Sequence, residues 1–141
     1  MIKYSTSITI DADRETVWGV LSDVAHWPEW NPTVSRVEAG DRSEPGLHDR
    51  YKVYQPKLRP TTWTVTELTP LSSFTWESRM PGLRMAAEHV ARPLGANQTE
   101  ITLTFSFQGL LGAILGRIYG NISRTYVETE AHSLKKRAEI A

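Results

Sequence analysis

Hydrophobic and polar residues alternate from the start of the chain. Ile2, Tyr4, Ile8 and Ile10 fall on even positions, and Lys3, Ser5, Ser7 and Thr9 on odd ones. A period of two puts neighbouring side chains on opposite faces, so the pattern predicts a half-buried strand. Asp11-Ala12-Asp13 interrupts it, and Asp13 carries a side chain suited to capping a helix. Val17, Trp18 and Leu21 mark one face of a short helix. Asp23 is placed to cap a second one carrying Val24 and Trp27, with Pro28 as its stop. Strands are then predicted over residues 34–38, 47–55, 61–68, 73–79, 83–92 and 100–107. Turn signals separate them at Pro45-Gly46, Lys57 to Pro60, Pro70 to Ser73, Pro81-Gly82 and Gly95-Ala96-Asn97. The last strand alternates most cleanly, with Ile101, Leu103, Phe105 and Phe107 on one side and Glu100, Thr102, Thr104 and Ser106 on the other. In the strand before it, Leu83, Met85, Ala87, His89 and Ala91 share a face opposite Arg84, Glu88 and Arg92. From about residue 110 to 139 the period changes. Leu111, Leu115, Ile118, Ile122, Tyr126 and Leu134 recur at helical spacing, and Lys135, Lys136 and Arg137 suit the negative end of the helix dipole. The order β-α-α-β-β-β-β-β-β-α predicts an α+β fold in which a curved antiparallel sheet of about seven strands holds one long C-terminal helix against its apolar face.

Length and charge narrow the picture. A chain of 141 residues is expected to form one domain, 1–141, with a core that needs no staples. Sixteen basic and sixteen acidic residues leave a formal net charge of +0, which argues against nucleic acid as a partner and against recruitment by anionic lipid. The chain has no cysteine, which removes disulfides, thiolate catalysis and cysteine metal sites and fits a cytoplasmic protein. No signal peptide is expected from Met1-Ile2-Lys3-Tyr4-Ser5. The apolar stretch 110–119 is broken by Gly112, Gly116 and Arg117, far short of the roughly 20 residues of a membrane span, so no integral membrane association is expected. Phosphate-binding, dinucleotide-binding, zinc-protease and nucleophile-elbow motifs are all missing, and His26, His48, His89 and His132 are isolated, so no cofactor and no metal are expected.

A twisted sheet pressed on a single helix leaves a wedge between them, and what lines the wedge decides whether it is core or cavity. Gly112, Gly116 and Gly120 are spaced by four and form one stripe, each costing roughly 1 kcal/mol relative to alanine in a helix interior. Two readings stand open: tight packing of that face on the sheet or another subunit, or room for a ligand. His89 is the one ionisable group on an inward apolar run, either a satisfied core histidine or a polar handle in a pocket, with Tyr51 and Gln55 on the face of Val53 pointing the same way. A general base needs an orienting partner, and none can be placed from the sequence. Trp63, Phe74, Trp76, Phe105 and Phe107 are core or pocket wall. Glu67 continues the alternation of Trp63 and Val65 and is expected to reach solvent at the strand end. The candidate cavity residues are Tyr51, Val53, Gln55, Trp63, Val65, Phe74, Trp76, Met85, His89, Leu103, Phe105, Leu111, Leu115, Ile118, Tyr119 and Ile122, with no catalytic residue among them. Met80 to Leu83 would form a flap over the cavity.

The run Ile8-x-Ile10-Asp11-Ala12, Val17-Trp18, Leu21 and Asp23, then Trp27-Pro28-Glu29-Trp30-Asn31-Pro32 and Pro45-Gly46, resembles the polyketide cyclase/dehydrase and lipid-transport family of the START-like (SRPBCC) superfamily. Trp63-x-Val65-x-Glu67, Pro70, Phe74-x-Trp76 and Gly109 extend the likeness over nearly the whole chain, with the opening third the most specific part. The resemblance implies a helix-grip fold with a deep hydrophobic cavity and binding of a lipid, polyketide or aromatic compound. It implies no invariant catalytic set, and Trp30, Asn31 and Pro32 resemble the family's structural signature at the helix-to-strand corner. Three functions follow as expectations: a carrier of a hydrophobic small molecule, a cyclase or dehydratase using the same cavity, or an interaction module docking through the glycine-striped helix, with Leu110, Leu111, Ile114 and Leu115 as the patch. The chain is expected to be a monomer or weak homodimer.

Overall fold

The computed structural model describes residues 1–39 and 45–141. Strand β1 (Ile2–Ile10) leads into helix α1 (Arg14–Ser22) and a short 3-10 helix (Val24–Glu29). Strands β2 (Arg36–Glu38), β3 (Arg50–Tyr54), β4 (Thr61–Thr69), β5 (Ser73–Met80), β6 (Leu83–Gly95) and β7 (Gln98–Gln108) follow, and helix α2 (Gly112–Glu139) closes the chain. The strands form one antiparallel sheet in the order β1-β7-β6-β5-β4-β3-β2. Consecutive strands neighbour one another from β2 to β7, and β1 closes the far edge beside β7. The long helix lies against the concave face, and this is the helix-grip arrangement.

Local chemistry accounts for the entry into the helical layer. Asp13 caps α1, its Oδ1 accepting from the backbone N–H of Thr16 at 2.7 Å, and the Thr16 side chain and this backbone bond together hold its carboxyl below the usual range. Asp23 does not cap the 3-10 helix. Its carboxylate takes Nδ1 of His26 at 2.8 Å instead. Pro28 lies inside that helix rather than stopping it, because so short a turn has few hydrogen bonds for a missing N–H to break. Val17, Leu21, Val24 and Trp27 from this layer are buried with Ile10, Val65, Phe74, Trp76, Ile101 and Leu103 from the sheet. The outer face is polar: Ser5 and Ser7 bond Thr104 and Thr102 at 3.0 and 2.8 Å, and Glu77 takes a two-pronged grip from Arg84 at 2.7 and 2.9 Å.

Several boundaries move. The strand expected over 34–38 shrinks to Arg36–Glu38, and that over 47–55 to Arg50–Tyr54. Residues 46–49 form a turn in which Gly46 and Asp49 bond each other twice and His48 has a φ of 71°. A bulge between Val65 and Glu67 switches the parity of β4. Leu68 then packs against the core and Glu67 turns to solvent. The β5–β6 turn is no flap: the carbonyl of Gly82 accepts from the N–H of Leu111 at 2.7 Å, pinning it to the start of α2. Gly109, at a φ of +94°, permits this approach, since a Cβ there would sit 2.7 Å from that carbonyl oxygen.

The glycine stripe settles on the first of its two readings. A Cβ on Gly112 would meet the Phe107 carbonyl at 3.0 Å, and one on Gly116 would meet Ile2 Cδ1 at 2.7 Å. The space at Gly120 is taken by the Tyr4 hydroxyl, which donates to the carbonyl of Gly116 at 3.4 Å. The glycines let α2 lie close on β1 and β7, and they leave no room for a guest on that face. The stripe itself faces the sheet; of the patch expected to dock, Leu110, Leu111 and Ile114 are exposed and Leu115 is half-buried. The helix's buried positions are Gly112, Gly116, Gly120, Ser123, Ala131, Leu134 and Ala138, while Leu110, Ile114 and Ile118 are 92%, 57% and 64% exposed.

Candidate functional site

Between the concave sheet and the middle of α2, from Ser123 to Glu130, lies a cavity of about 80 Å³. Its wall is built from Trp27, Thr33 and Val34 after α1, Val53, Gln55 and Leu58 around the end of β3, and Trp63 and Trp76 on β4 and β5. Ala87, Glu88 and His89 of β6, Leu103, Thr104 and Phe105 of β7, and Ser123, Tyr126, Val127 and Glu130 of α2 complete it. Indole and phenyl rings fill much of the hollow. Trp76 lies at the centre, with ring centroids of Trp27, Phe74, His89, Tyr51 and Trp63 at 5.3, 5.5, 5.5, 5.8 and 5.8 Å. The remaining space is large enough for several water molecules and falls below the ~150 Å³ at which a dry cavity takes up benzene.

One end of the cavity is polar, and its geometry is specific. His89 is 3% exposed and stacks on Phe74 at 4.1 Å. Its Nδ1 lies 3.1 Å from the carbonyl of Phe74. A carbonyl only accepts, so Nδ1 carries the proton and Nε2 keeps a lone pair. Burial in this apolar wall pulls the imidazole down to about 4. Among the described residues no fully buried side-chain N or O lacks a hydrogen-bond partner. Among the described residues Nε2 has no such bond, and His89 lines the cavity.

Glu130 of α2 faces that lone pair, with Oε2 3.9 Å from Nε2 and a side chain 15% exposed. Burial pushes its carboxyl up to about 7, against a smaller lowering by the Asn31 hydrogen bond. Asn31 fixes the orientation: its Oδ1 accepts from the N–H and hydroxyl of Thr33 at 3.0 and 2.8 Å, and its Nδ2 donates to Oε1 of Glu130 at 3.0 Å. With Oε1 so engaged, the proton of the neutral acid belongs on Oε2, the oxygen facing His89. The gap is too long for a direct hydrogen bond and suits a bridging water or ligand oxygen. The pair can thus present one acceptor and one donor to the cavity.

Of the residues expected at a cavity, Val53, Gln55, Trp63, Trp76, His89, Leu103 and Phe105 line this one. Tyr51, Val65 and Phe74 are buried in the core behind it, and Met85 is half-buried on β6. Leu111, Ile118 and Tyr119 are exposed, and Leu115 and Ile122 half-buried, on the first half of α2. The lining from α2 begins only at Ser123 because the glycines up to Gly120 press the start of the helix onto β1 and β7. Sequence reasoning passed over Glu130 and took Asn31 for a corner residue alone. A signal was present: Glu130 sits four residues from both Tyr126 and Leu134, on the apolar stripe itself. At the cavity rim, the Tyr126 hydroxyl donates to the carbonyl of Pro56, closing the loop between β3 and β4 against α2. Among the described residues no three His, Asp or Glu side chains converge as a metal site, and no helix is long and apolar enough to cross a membrane.

A family model described as polyketide cyclase/dehydrase and lipid transport matches residues 1–139. No curated protein matches the chain. Among solved structures, the Zhui aromatase/cyclase from Streptomyces sp. R1128 is 19% identical, with a TM-score of 0.77 over 98% of this chain and 93% of that one. A START superfamily protein from Mycobacterium smegmatis is 17% identical, with a TM-score of 0.75 over 98% and 97%. The di-domain aromatase/cyclase BexL is 21% identical, with a TM-score of 0.70 over 95% of this chain and 46% of that one. At such identities the likeness is one of fold.

Proposed function

This chain belongs to the polyketide cyclase/dehydrase and lipid transport family, and we propose on that premise that it binds a hydrophobic small molecule, such as a lipid, polyketide or aromatic compound, in the cavity between sheet and α2. The observation that carries this reading is the cavity's make-up: aromatic and aliphatic walls with two buried, oriented polar side chains at one end. Burying about 200 Å² of apolar ligand surface offers a gross gain near 5 kcal/mol before the costs of association, so micromolar binding, about 8 kcal/mol net, needs a larger buried area together with the polar contacts at the cavity's end. At about 80 Å³ the cavity is smaller than such a guest. A larger guest enters when the β3–β4 loop parts from Tyr126, since Gln55 and Leu58 of that loop are themselves wall. The test is native mass spectrometry of the purified protein, followed by tryptophan fluorescence titration with fatty alcohols, sterols and polyphenols. Trp27, Trp63 and Trp76 report directly on occupancy. One-to-one binding with altered indole emission is expected, and the lack of any co-purified or added ligand would overturn the reading.

The pairing of His89 with Glu130 favours a second reading, a cyclase or dehydratase. Two titratable groups with pKa values pushed in opposite directions form an acid–base pair. In a dehydration, the Nε2 lone pair takes a proton from the carbon beside a carbonyl and Glu130 Oε2–H protonates the departing hydroxyl, which leaves as water. The proton then returns from His89 to Glu130 across the gap. Replacing His89 with Ala separates the readings: an enzyme loses turnover while still binding, and a carrier changes affinity alone.

A further inference from the structure

Resting on the binding reading above, we propose that His89 Nε2 and Glu130 Oε2 clamp one neutral hydroxyl group of an otherwise apolar aromatic ligand, and that the site rejects anionic amphiphiles such as carboxylates. The geometry fits a single oxygen. Placed about 2.8 Å from each atom, an ordinary hydrogen-bond length, it spans the 3.9 Å gap with an angle of about 90° at the oxygen. A hydroxyl suits both sides: it donates to the Nε2 lone pair and accepts from the acid's Oε2–H. The fixed tautomer of His89 and the fixed amide of Asn31 hold this donor–acceptor order, so the clamp is pre-organised.

Charge sets the exclusion. Among the described residues lining the cavity there is no Lys or Arg, and the ionisable ones are Glu88, His89, Tyr126 and Glu130. A carboxylate placed in the gap would face a lone pair on one side and a carboxyl group on the other, with no cation to offset its desolvation. The aromatic wall supplies the rest of the recognition, with Trp63 and Trp76, stacked on each other at an interplanar angle of 25°, as fixed apolar lining.

Four one-ring probes test this on the whole protein by NMR titration at neutral pH: phenol, toluene, benzoate and benzamide. Phenol and toluene have the same shape and differ in the hydroxyl, while benzamide matches benzoate in size and is neutral. Phenol is expected to bind about tenfold tighter than toluene, the worth of one well-placed hydrogen bond, and benzamide to bind well above benzoate. In His89→Leu the ratio of phenol to toluene affinity is expected to fall to about one. The comparison of benzoate with benzamide needs no variant, so a variant that fails to fold does not spare the idea. Benzoate binding as tightly as benzamide, or a phenol preference that survives His89→Leu, overturns the clamp and leaves the binding reading standing. Binding of none of the four probes, together with an empty screen of larger ligands, overturns both.

Discussion

Glu130→Gln is expected to stabilise this protein by a margin that grows from near zero at pH 4.5 to its full size above about pH 7. In the fold, burial raises the carboxyl from 4.5 to about 7, while it lowers the imidazole of His89 from 6.5 to about 4. At about 1.4 kcal/mol per pH unit, holding Glu130 ionised in the cavity costs about 3 kcal/mol relative to the unfolded chain. The sign follows from linkage. The raised group of Glu130 contributes stability that is full below pH 4.5 and lost as pH climbs through about 7. The lowered group of His89 contributes stability that is full above pH 6.5 and lost as pH falls through about 4. Between these limits both states carry one proton on the pair, on Glu130 when folded and on His89 when unfolded, so the wild type is nearly flat there. A glutamine keeps the shape and still accepts from Asn31, but it never ionises. Urea unfolding followed by tryptophan fluorescence should therefore find the variant about 3 kcal/mol more stable than wild type at pH 8.5, with the margin vanishing near pH 4.5. The variant's own stability should fall as pH drops below 6.5, exposing the His89 slope. A variant less stable than wild type at pH 8.5, or a margin equal at both pH values, would show that Glu130 is not held in a desolvated site.

Other outcomes follow from single contacts. Gly116→Ala should cost about 1–3 kcal/mol through its clash with Ile2, and Ile2→Ala should relieve much of that cost in a double-mutant cycle read by urea unfolding. Tyr126→Phe removes the hydrogen bond to Pro56. Amide exchange in residues 55–60 should speed up about fivefold, as the loss of about 1 kcal/mol requires, and an unchanged rate would mean that this bond does not close the loop. Trp76→Ala should cost about 3–5 kcal/mol, and added indole should raise its melting temperature by more than it raises that of the wild type, since it refills the space of the lost ring.

Much of the fold was legible because alternation is a local property. The run Ile101 to Phe107 reads as a strand with one buried face and is one, and Asp13 reads as a cap and is one. The bulge in β4 shows where such reading stops. Glu67 reaches solvent as expected, but through one extra residue in the pairing with β5 that breaks the alternation of Trp63 and Val65, and not because the strand ends there. The candidate site was half legible for a related reason. Inward strand positions on β3 to β7 named Val53, Trp63, Trp76, His89, Leu103 and Phe105, since a sheet has only two faces to choose between.

A helix has no such constraint. The sequence by itself determined that α2 exists, where it starts and ends to within a residue or two, and which side chains share a stripe. It could not say which stripe meets the sheet, because large apolar residues and small ones compete for that place under opposite rules. Burial favours Leu111, Leu115 and Ile118, while close approach favours Gly112, Gly116 and Gly120, and only the position of Ile2, Tyr4 and Phe107 on the neighbouring strands decided for the glycines. That choice rotates the helix so that Glu130 meets His89. Two groups 41 positions apart in the chain acquire their opposed pKa values from that one packing event.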